Sequence, residues 1–96
     1  MHGEALKYQV YVLWVKGHGL STIAAWMGLR PKQVAGLVDR GPYPNRSAMK
    51  DEERQAALEE LRSIRFGASD GQPLDGGRFD RFAWKIEPLT KEQVRG

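Results

Sequence analysis

A chain of 96 residues with 41% hydrophobic and 28% charged side chains is large enough for one small domain and excludes two independently folding ones. The absence of cysteine excludes a fold held by disulfides or thiolate metal sites. The longest apolar run, residues 10–15, is far shorter than the roughly 20 residues of a membrane span, and the Met-His-Gly-Glu start has no basic segment leading into a hydrophobic signal. We therefore expect a cytoplasmic protein without a membrane partner.

Positive charge is concentrated in the first half of the chain. The formal net charge is +3. Residues 1–46 hold six lysines and arginines against two acidic residues, whereas residues 47–96 hold nine against ten. An anionic partner is therefore expected to bind the first half, because only that half has a net positive charge.

The first predicted element is a helix from Glu4 to Lys16. It ends before Gly17, a residue type that commonly terminates helices. A buried strand is the alternative, because the stretch from Tyr8 to Val15 is rich in β-branched and aromatic residues. The length of the segment favours the helix, and so do the apolar residues at helical spacing, which are Leu6, Val10, Leu13 and Trp14.

Two short helices are predicted next, separated by three residues. The second helix begins at Ser21, whose hydroxyl can accept a hydrogen bond from the first helical turn, and it stops at Gly28. The third begins at Pro31, because proline is tolerated best at the first helical position, and runs to about Arg40. Its inward residues are expected to be Val34, Leu37 and Val38. The two prolines that follow predict a rigid, extended linker over residues 41–46.

This pair of short helices resembles the helix-turn-helix family of DNA-binding domains over residues 20–39. Ala24 takes the small-residue position where the helices cross, and Gly28 takes the turn position four residues later. The family's buried positions are filled by apolar residues, namely Ile23, Met27, Leu29, Val34 and Leu37. The alternative is a helical hairpin of another kind, such as a protein-interaction module, which could carry alanine and glycine at the same spacing.

The resemblance implies a set of residues that contact double-stranded DNA. The third helix would enter the major groove and present Arg30, Lys32, Gln33, Gly36 and Arg40. Gln33 would pair with an adenine edge. Ser21 and Thr22 would meet the DNA backbone, with Lys16 and His18 nearby. Arg46 is a further candidate for a phosphate or minor-groove contact.

A longer fourth helix is predicted from about Ala48 to Phe66, opened by Ser47. Acidic residues lie near its positive N-terminal end and arginines near its negative C-terminal end, which stabilises a helix. Its apolar stripe can pack on the first three helices or on a second copy in a dimer. The stripe consists of Met49, Ala57, Leu58, Leu61, Ile64 and Phe66.

Residues 67–96 are predicted to form a loop, an extended aromatic arm and a polar tail. The loop covers Gly67 to Gly77. Metal binding is not expected, because the five-residue spacing of Asp70, Asp75 and Asp80 does not match a calcium loop. Beyond the loop, one side of the arm is apolar, with Phe82, Trp84 and Ile86 alternating with charged residues. This arm is expected to form a short strand or to lie across the helices or against another subunit, before a tail from Leu89 to Gly96.

Together these features predict a mainly α-helical protein. Residues 1–46 form the three-helix unit, and residues 47–96 pack on it as part of one domain. We expect no catalytic residues, cofactor or metal, because no nucleophile, base or phosphate-binding lysine occurs in a recognisable arrangement. The predicted function is sequence-specific DNA binding by a small transcriptional regulator, as a homodimer or higher oligomer or with a protein partner held by the C-terminal segment. The alternatives are the DNA-recognition subunit of a phage-type machine, like a small terminase or a transposase component, and an adaptor that binds a protein such as RNA polymerase.

Overall fold

A computed structural model describes residues 3–66 and 73–89 of the chain. Asp70 and all of the predicted tail except Leu89 lie outside these residues. The described part is mainly helical and contains no strand, in agreement with the predicted class. Its four helices are α1 (Glu4–Lys16), α2 (Leu20–Met27), α3 (Pro31–Asp39) and α4 (Asp51–Ser63), and a 3-10 turn spans Arg46–Ala48. No helix in the described ranges is long and apolar enough to cross a membrane.

The centre of the fold is α1. The strand alternative for this segment is wrong, and its high content of apolar residues has a different cause. From Tyr8 onward the helix is buried on almost every side, because α2, α3 and α4 all pack against it. A helix surrounded in this way needs no polar face. Its C-terminal end lies inside the protein, where Gly17 closes it with a φ of +130° that side-chain-bearing residues rarely adopt.

The two short helices pack on each other and on α1. Gly28 ends α2 in the left-handed conformation, with φ at +68°, and Pro31 opens α3 as predicted. The start of α2 was predicted one residue late, since the helix begins at Leu20 with Gly19 as its N-cap. No side chain caps this end, so Ser21 does not have the predicted capping role.

One hydrophobic core joins both halves of the chain. Phe79 belongs to the same buried cluster as the apolar residues of α1. The inward positions predicted for α2, α3 and α4 are confirmed as buried for Ile23, Ala24, Val34, Leu37, Val38, Ala57, Leu58 and Leu61. Met27 and Leu29 are partly buried against this core.

The fourth helix is shorter than predicted at both ends. It begins at Asp51, where the Glu53 carboxylate accepts a hydrogen bond from the Lys50 amide at 2.9 Å, and this contact fixes the first turn. The helix ends at Ser63, so two members of the predicted stripe lie beyond it. Ile64 and Phe66 are 48% and 55% exposed, respectively. They are not core residues of the described fold.

The aromatic arm lies across the helices without forming a strand. Phe82, Trp84 and Ile86 are partly buried against the core, whereas Arg81, Lys85 and Glu87 are exposed. The side-chain amide of Gln55 makes the hydrogen bonds that a neighbouring strand would otherwise make. It donates to the Trp84 carbonyl and accepts from the Ile86 amide, both at 3.0 Å. The Glu87 amide also donates to the Lys16 carbonyl at 2.8 Å. A lone extended segment is thereby held with its backbone groups bonded.

Candidate nucleic-acid interface

Three cations lie on or beside the solvent-facing side of α3, together with the exposed acid Asp39. Arg30, Lys32 and Arg40 are exposed, and within residues 3–66 and 73–89 none of the three forms an ion pair. The opposite side of the helix holds Val34 and Leu37 in the core. Burial of the apolar side therefore fixes which side chains of α3 face the solvent.

The Arg40 side chain lies over Gly36. A β-carbon at Gly36 would meet the Arg40 guanidinium at 3.5 Å. The Arg40 side chain thus lies back along α3 over the glycine instead of pointing away from the helix end. This direction is the usual one for a helical side chain. It brings the charge of Arg40 toward the middle of the exposed face.

Gln33 has a contact that the sequence analysis did not predict. Its Oε1 accepts a hydrogen bond from the Arg30 amide at 2.9 Å, so the side chain caps the first turn of α3. This oxygen is the atom that would accept from adenine in a bidentate pair. The side chain is exposed, but base readout through both amide atoms requires that it leave the cap.

Two predicted backbone contacts on α2 lie at its exposed first turn. Ser21 and Thr22 are both exposed, while the neighbouring Ile23 is fully buried. His18, which precedes this turn, is half-buried and packs edge-on against Trp26 with 4.7 Å between ring centroids. Burial lowers the pKa of His18, and the nearby Glu87 carboxylate partly offsets this shift.

Arg46 is not part of the exposed surface, contrary to the prediction. It is 1% exposed, and its Nη1 donates to the carbonyls of Trp14 at 2.8 Å and His18 at 2.7 Å. Its guanidinium also lies 3.6 Å from the centre of the Trp14 ring. Burial, followed by repulsion from Arg54, lowers the pKa of Arg46 to about 10, which leaves it charged at neutral pH. Its contacts stabilise the end of α1, where carbonyl groups lack helical partners.

Arg54 also stabilises the end of α1, a role that the sequence analysis did not predict. It is 1% exposed and donates through Nη2 to the carbonyls of Val15, Lys16 and Glu87, each at 3.0 Å. Burial lowers the pKa of Arg54, and the nearby Asp51 carboxylate partly offsets this shift. One sequence signal was available, because Arg54 precedes Ala57 and Leu58 by three and four residues and so lies on the apolar side of α4.

Lys16 is likewise an interior residue. Only 6% of it is exposed, and its Nζ donates to the carbonyls of Ala83 and Lys85 at 2.6 Å. Its Nζ also lies 3.8 Å from the Glu87 carboxylate. These contacts fasten the aromatic arm to α1, so Lys16 is not placed to meet a nucleic-acid backbone.

The aspartates that follow the glycine-rich stretch bind an arginine. Arg65 donates through Nε to the buried Asp75 at 2.7 Å and through Nη2 to the exposed Asp80. Burial acts to raise the pKa of Asp75, but hydrogen bonds from Arg65 and the Phe79 amide outweigh it and hold that pKa below 3.8. Among the residues described, no three histidines or acids come together as metal ligands.

Exposed charge is divided between two sides of the molecule. The basic residues of α3 lie on the pair formed with α2, whereas the exposed residues of α4 are mostly acidic and include Asp51, Glu52, Glu53, Glu59 and Glu60. An anionic polymer is attracted to the first side and repelled by the second.

In comparisons with known proteins, no family model matches the chain, and no curated protein or solved structure is significantly similar to it.

Proposed function

We propose that this protein binds double-stranded DNA by inserting α3 into the major groove. The observation that carries the proposal is the exposed face of α3, where three cations lie without an ion-pair partner among the described residues. Cations left free on one side of a helix are suited to neutralise phosphates and to contact guanine edges.

The setting of α3 supports this function. α2 precedes it by a three-residue connection with a left-handed glycine, which resembles the turn of helix-turn-helix domains. In that arrangement the exposed Ser21 and Thr22 contact the DNA backbone at the start of α2. Arg30 and Lys32 contact bases or phosphates at the start of α3, and Arg40 contacts a phosphate at its end. The Arg40 guanidinium covers Gly36, so Arg40 and not the glycine backbone meets the groove.

A small transcriptional regulator is the role we favour for such a domain. It would act by occupying its DNA site, as a homodimer or higher oligomer. The recognition subunit of a phage-type machine would use the same surface and would assemble as a ring. An adaptor that binds RNA polymerase or another protein would leave α3 free of DNA, so it predicts no binding of any duplex at low salt.

The proposal is tested by the salt dependence of duplex binding. The Lys32→Ala/Arg40→Ala variant should bind all duplexes more weakly, and the slope of log affinity against log salt should fall by about two, because each lost phosphate contact removes about one. Fluorescence anisotropy with a labelled random duplex measures both quantities.

The matched control is Lys50→Ala/Arg62→Ala, which removes two exposed cations from the acidic side. Its slope should equal that of the wild type. Equal slopes for all three proteins would contradict the proposed surface. The absence of wild-type binding at low salt would favour the adaptor role.

A further inference from the structure

A second cationic surface lies where the chain returns to α2 after α4. A shallow groove of about 520 Å³ opens there between α2, the end of α1 and the aromatic arm. Its lining includes His18, Trp26, Arg78, Arg81 and Phe82. We call this the Trp26 groove. Trp26 is 51% exposed and is one of the few large apolar side chains of the described fold that face solvent.

Two arginines from the second half of the chain border this groove. Arg78 donates through Nη1 to the Trp26 carbonyl at 3.2 Å and lies 3.7 Å from the Met27 sulfur, so it is held at the C-terminal end of α2. Arg81 is exposed and has no ion pair in the described part of the chain. Both arginines belong to residues 47–96, which hold one more acidic than basic residue. The fold nevertheless brings them to the Trp26 groove beside α2.

The acidic residues beside these arginines are already engaged. Glu87, which also lines the groove, lies 3.8 Å from the Lys16 ammonium. Asp80, between the two arginines in sequence, bonds Arg65. The border at Arg78 and Arg81 therefore keeps its positive charge. An arginine guanidinium has five donors, and Arg78 uses Nη1 on α2, which leaves the others for a ligand.

We propose that the Trp26 groove binds the phosphate backbone of the same duplex that α3 contacts. The inference rests on the proposed function of α3. Arg78 and Arg81 are the phosphate ligands, and the indole N–H of Trp26 supplies a further donor to the backbone. Continuity favours DNA over an acidic peptide, because Arg78 is fixed to Met27, three residues before Arg30 at the start of α3. Arg78 and Arg30 thus lie on the two sides of one short turn.

Arg81→Gln tests the groove without disturbing a described contact. The slope of log affinity against log salt should fall by about one, so the affinity deficit should shrink about fourfold when salt rises from about 50 to about 200 mM. Lys85→Gln is the matched control, because Lys85 is exposed on the same segment but does not line the groove. It should leave the slope unchanged.

Quenching of tryptophan fluorescence by acrylamide gives an independent test. Trp14 is 3% exposed and Trp84 is partly buried, so Trp26 dominates the quenchable emission. A saturating unlabelled duplex should reduce the quenching constant at least twofold, and Trp26→Phe should abolish this protection.

The outcomes separate this inference from the proposal on which it rests. If Lys32→Ala/Arg40→Ala lowers the salt slope while Arg81→Gln does not, and Trp26 stays quenchable in the complex, DNA binds α3 but not the groove. Equal losses of duplex affinity for Arg81→Gln and Lys85→Gln would also contradict DNA binding by the groove, since they would reflect only the change in net charge. If no variant changes the slope, the proposed function fails and this inference fails with it.

Discussion

Two groups of arginines in this protein have opposite surroundings. At the end of α1, Arg46 and Arg54 are each 1% exposed and donate to main-chain carbonyls. On α3, Arg30 and Arg40 are exposed and form no ion pair within the described residues. Both groups contribute equally to the net charge. Only the second group is available to an anionic partner.

The difference shows what decides the role of an arginine here. α1 ends inside the protein, so its last carbonyls cannot bond water and need buried donors. A guanidinium can bond several carbonyls at once, as Arg54 does with those of Val15, Lys16 and Glu87. The exposed arginines have no such structural task. We therefore expect changes in the first group to alter stability and changes in the second to alter DNA binding.

The largest expected effect is on the buried group. Arg54→Ala should lower the free energy of unfolding by about 3 to 5 kcal/mol, because three carbonyl groups lose a charged donor in the interior. Urea denaturation followed by circular dichroism measures the loss. Lys50→Ala, at an exposed position four residues earlier, should change stability by less than about 0.5 kcal/mol. Similar stability for the two variants would mean that Arg54 does not hold the end of α1.

The ion pair between Arg65 and Asp75 should make the free energy of unfolding depend on pH. Asp75→Asn should cost about 3 kcal/mol at pH 7, since it removes a buried charged partner of Arg65. The pKa of Asp75 is held below its ordinary value of 3.8 in the folded protein, so the pair stabilises the fold fully above pH 3.8 and loses this contribution as the pH falls below 3.8 toward the lower folded pKa. Denaturation curves from pH 7 to pH 3 should therefore show a difference between the variant and the wild type that shrinks once the pH falls below 3.8. A constant difference over this range would contradict the assignment.

A smaller change tests the packing around the buried arginines. A β-carbon at Gly17 would lie 3.1 Å from both the Arg54 Nη2 and the Glu87 carbonyl, at a φ of +130°. Gly17→Ala should therefore destabilise the fold by about 1 to 3 kcal/mol. Gly76→Ala is the control, because its φ of +65° is also positive but a β-carbon there meets nothing within 4 Å. Thermal unfolding of both variants makes the comparison, and an unchanged Tm for Gly17→Ala would show that the end of α1 is less constrained than described.

The smallest effect concerns Gln33, which belongs to the exposed face but also bonds the backbone of α3. Gln33→Ala should cost about 0.5 to 1 kcal/mol of stability through loss of the cap. Gln33→Glu keeps an acceptor oxygen and should retain that stability, while its negative charge weakens DNA binding.

Competition titrations with a selected site and a scrambled duplex then assign the role of Gln33 in readout. A loss of about 1 to 3 kcal/mol for Gln33→Ala on the selected site only would indicate adenine contact. Equal losses on both duplexes would restrict Gln33 to the cap.

The sequence predicted most of the helices and their apolar faces, because periodicity, Gly28 and Pro31 determine these locally. It did not predict that Arg46 is buried, since nothing within the segment indicates that α1 ends inside the protein beside it. The position of Arg78 on α2 was missed for a similar reason, because it depends on a contact between residues 51 positions apart. Local patterns define the elements, whereas the environment of a charge depends on how distant elements meet.

The central claim is that exposed cations on α3 bind DNA while the buried arginines serve the fold. Titration of the 15N-labelled protein with a short duplex, followed by amide chemical shifts, tests it most directly. We expect the largest shifts at residues 30–40 and at Ser21 and Thr22, with little change along α4. Shifts centred on α4, or an unperturbed spectrum at low salt with excess duplex, would contradict the claim.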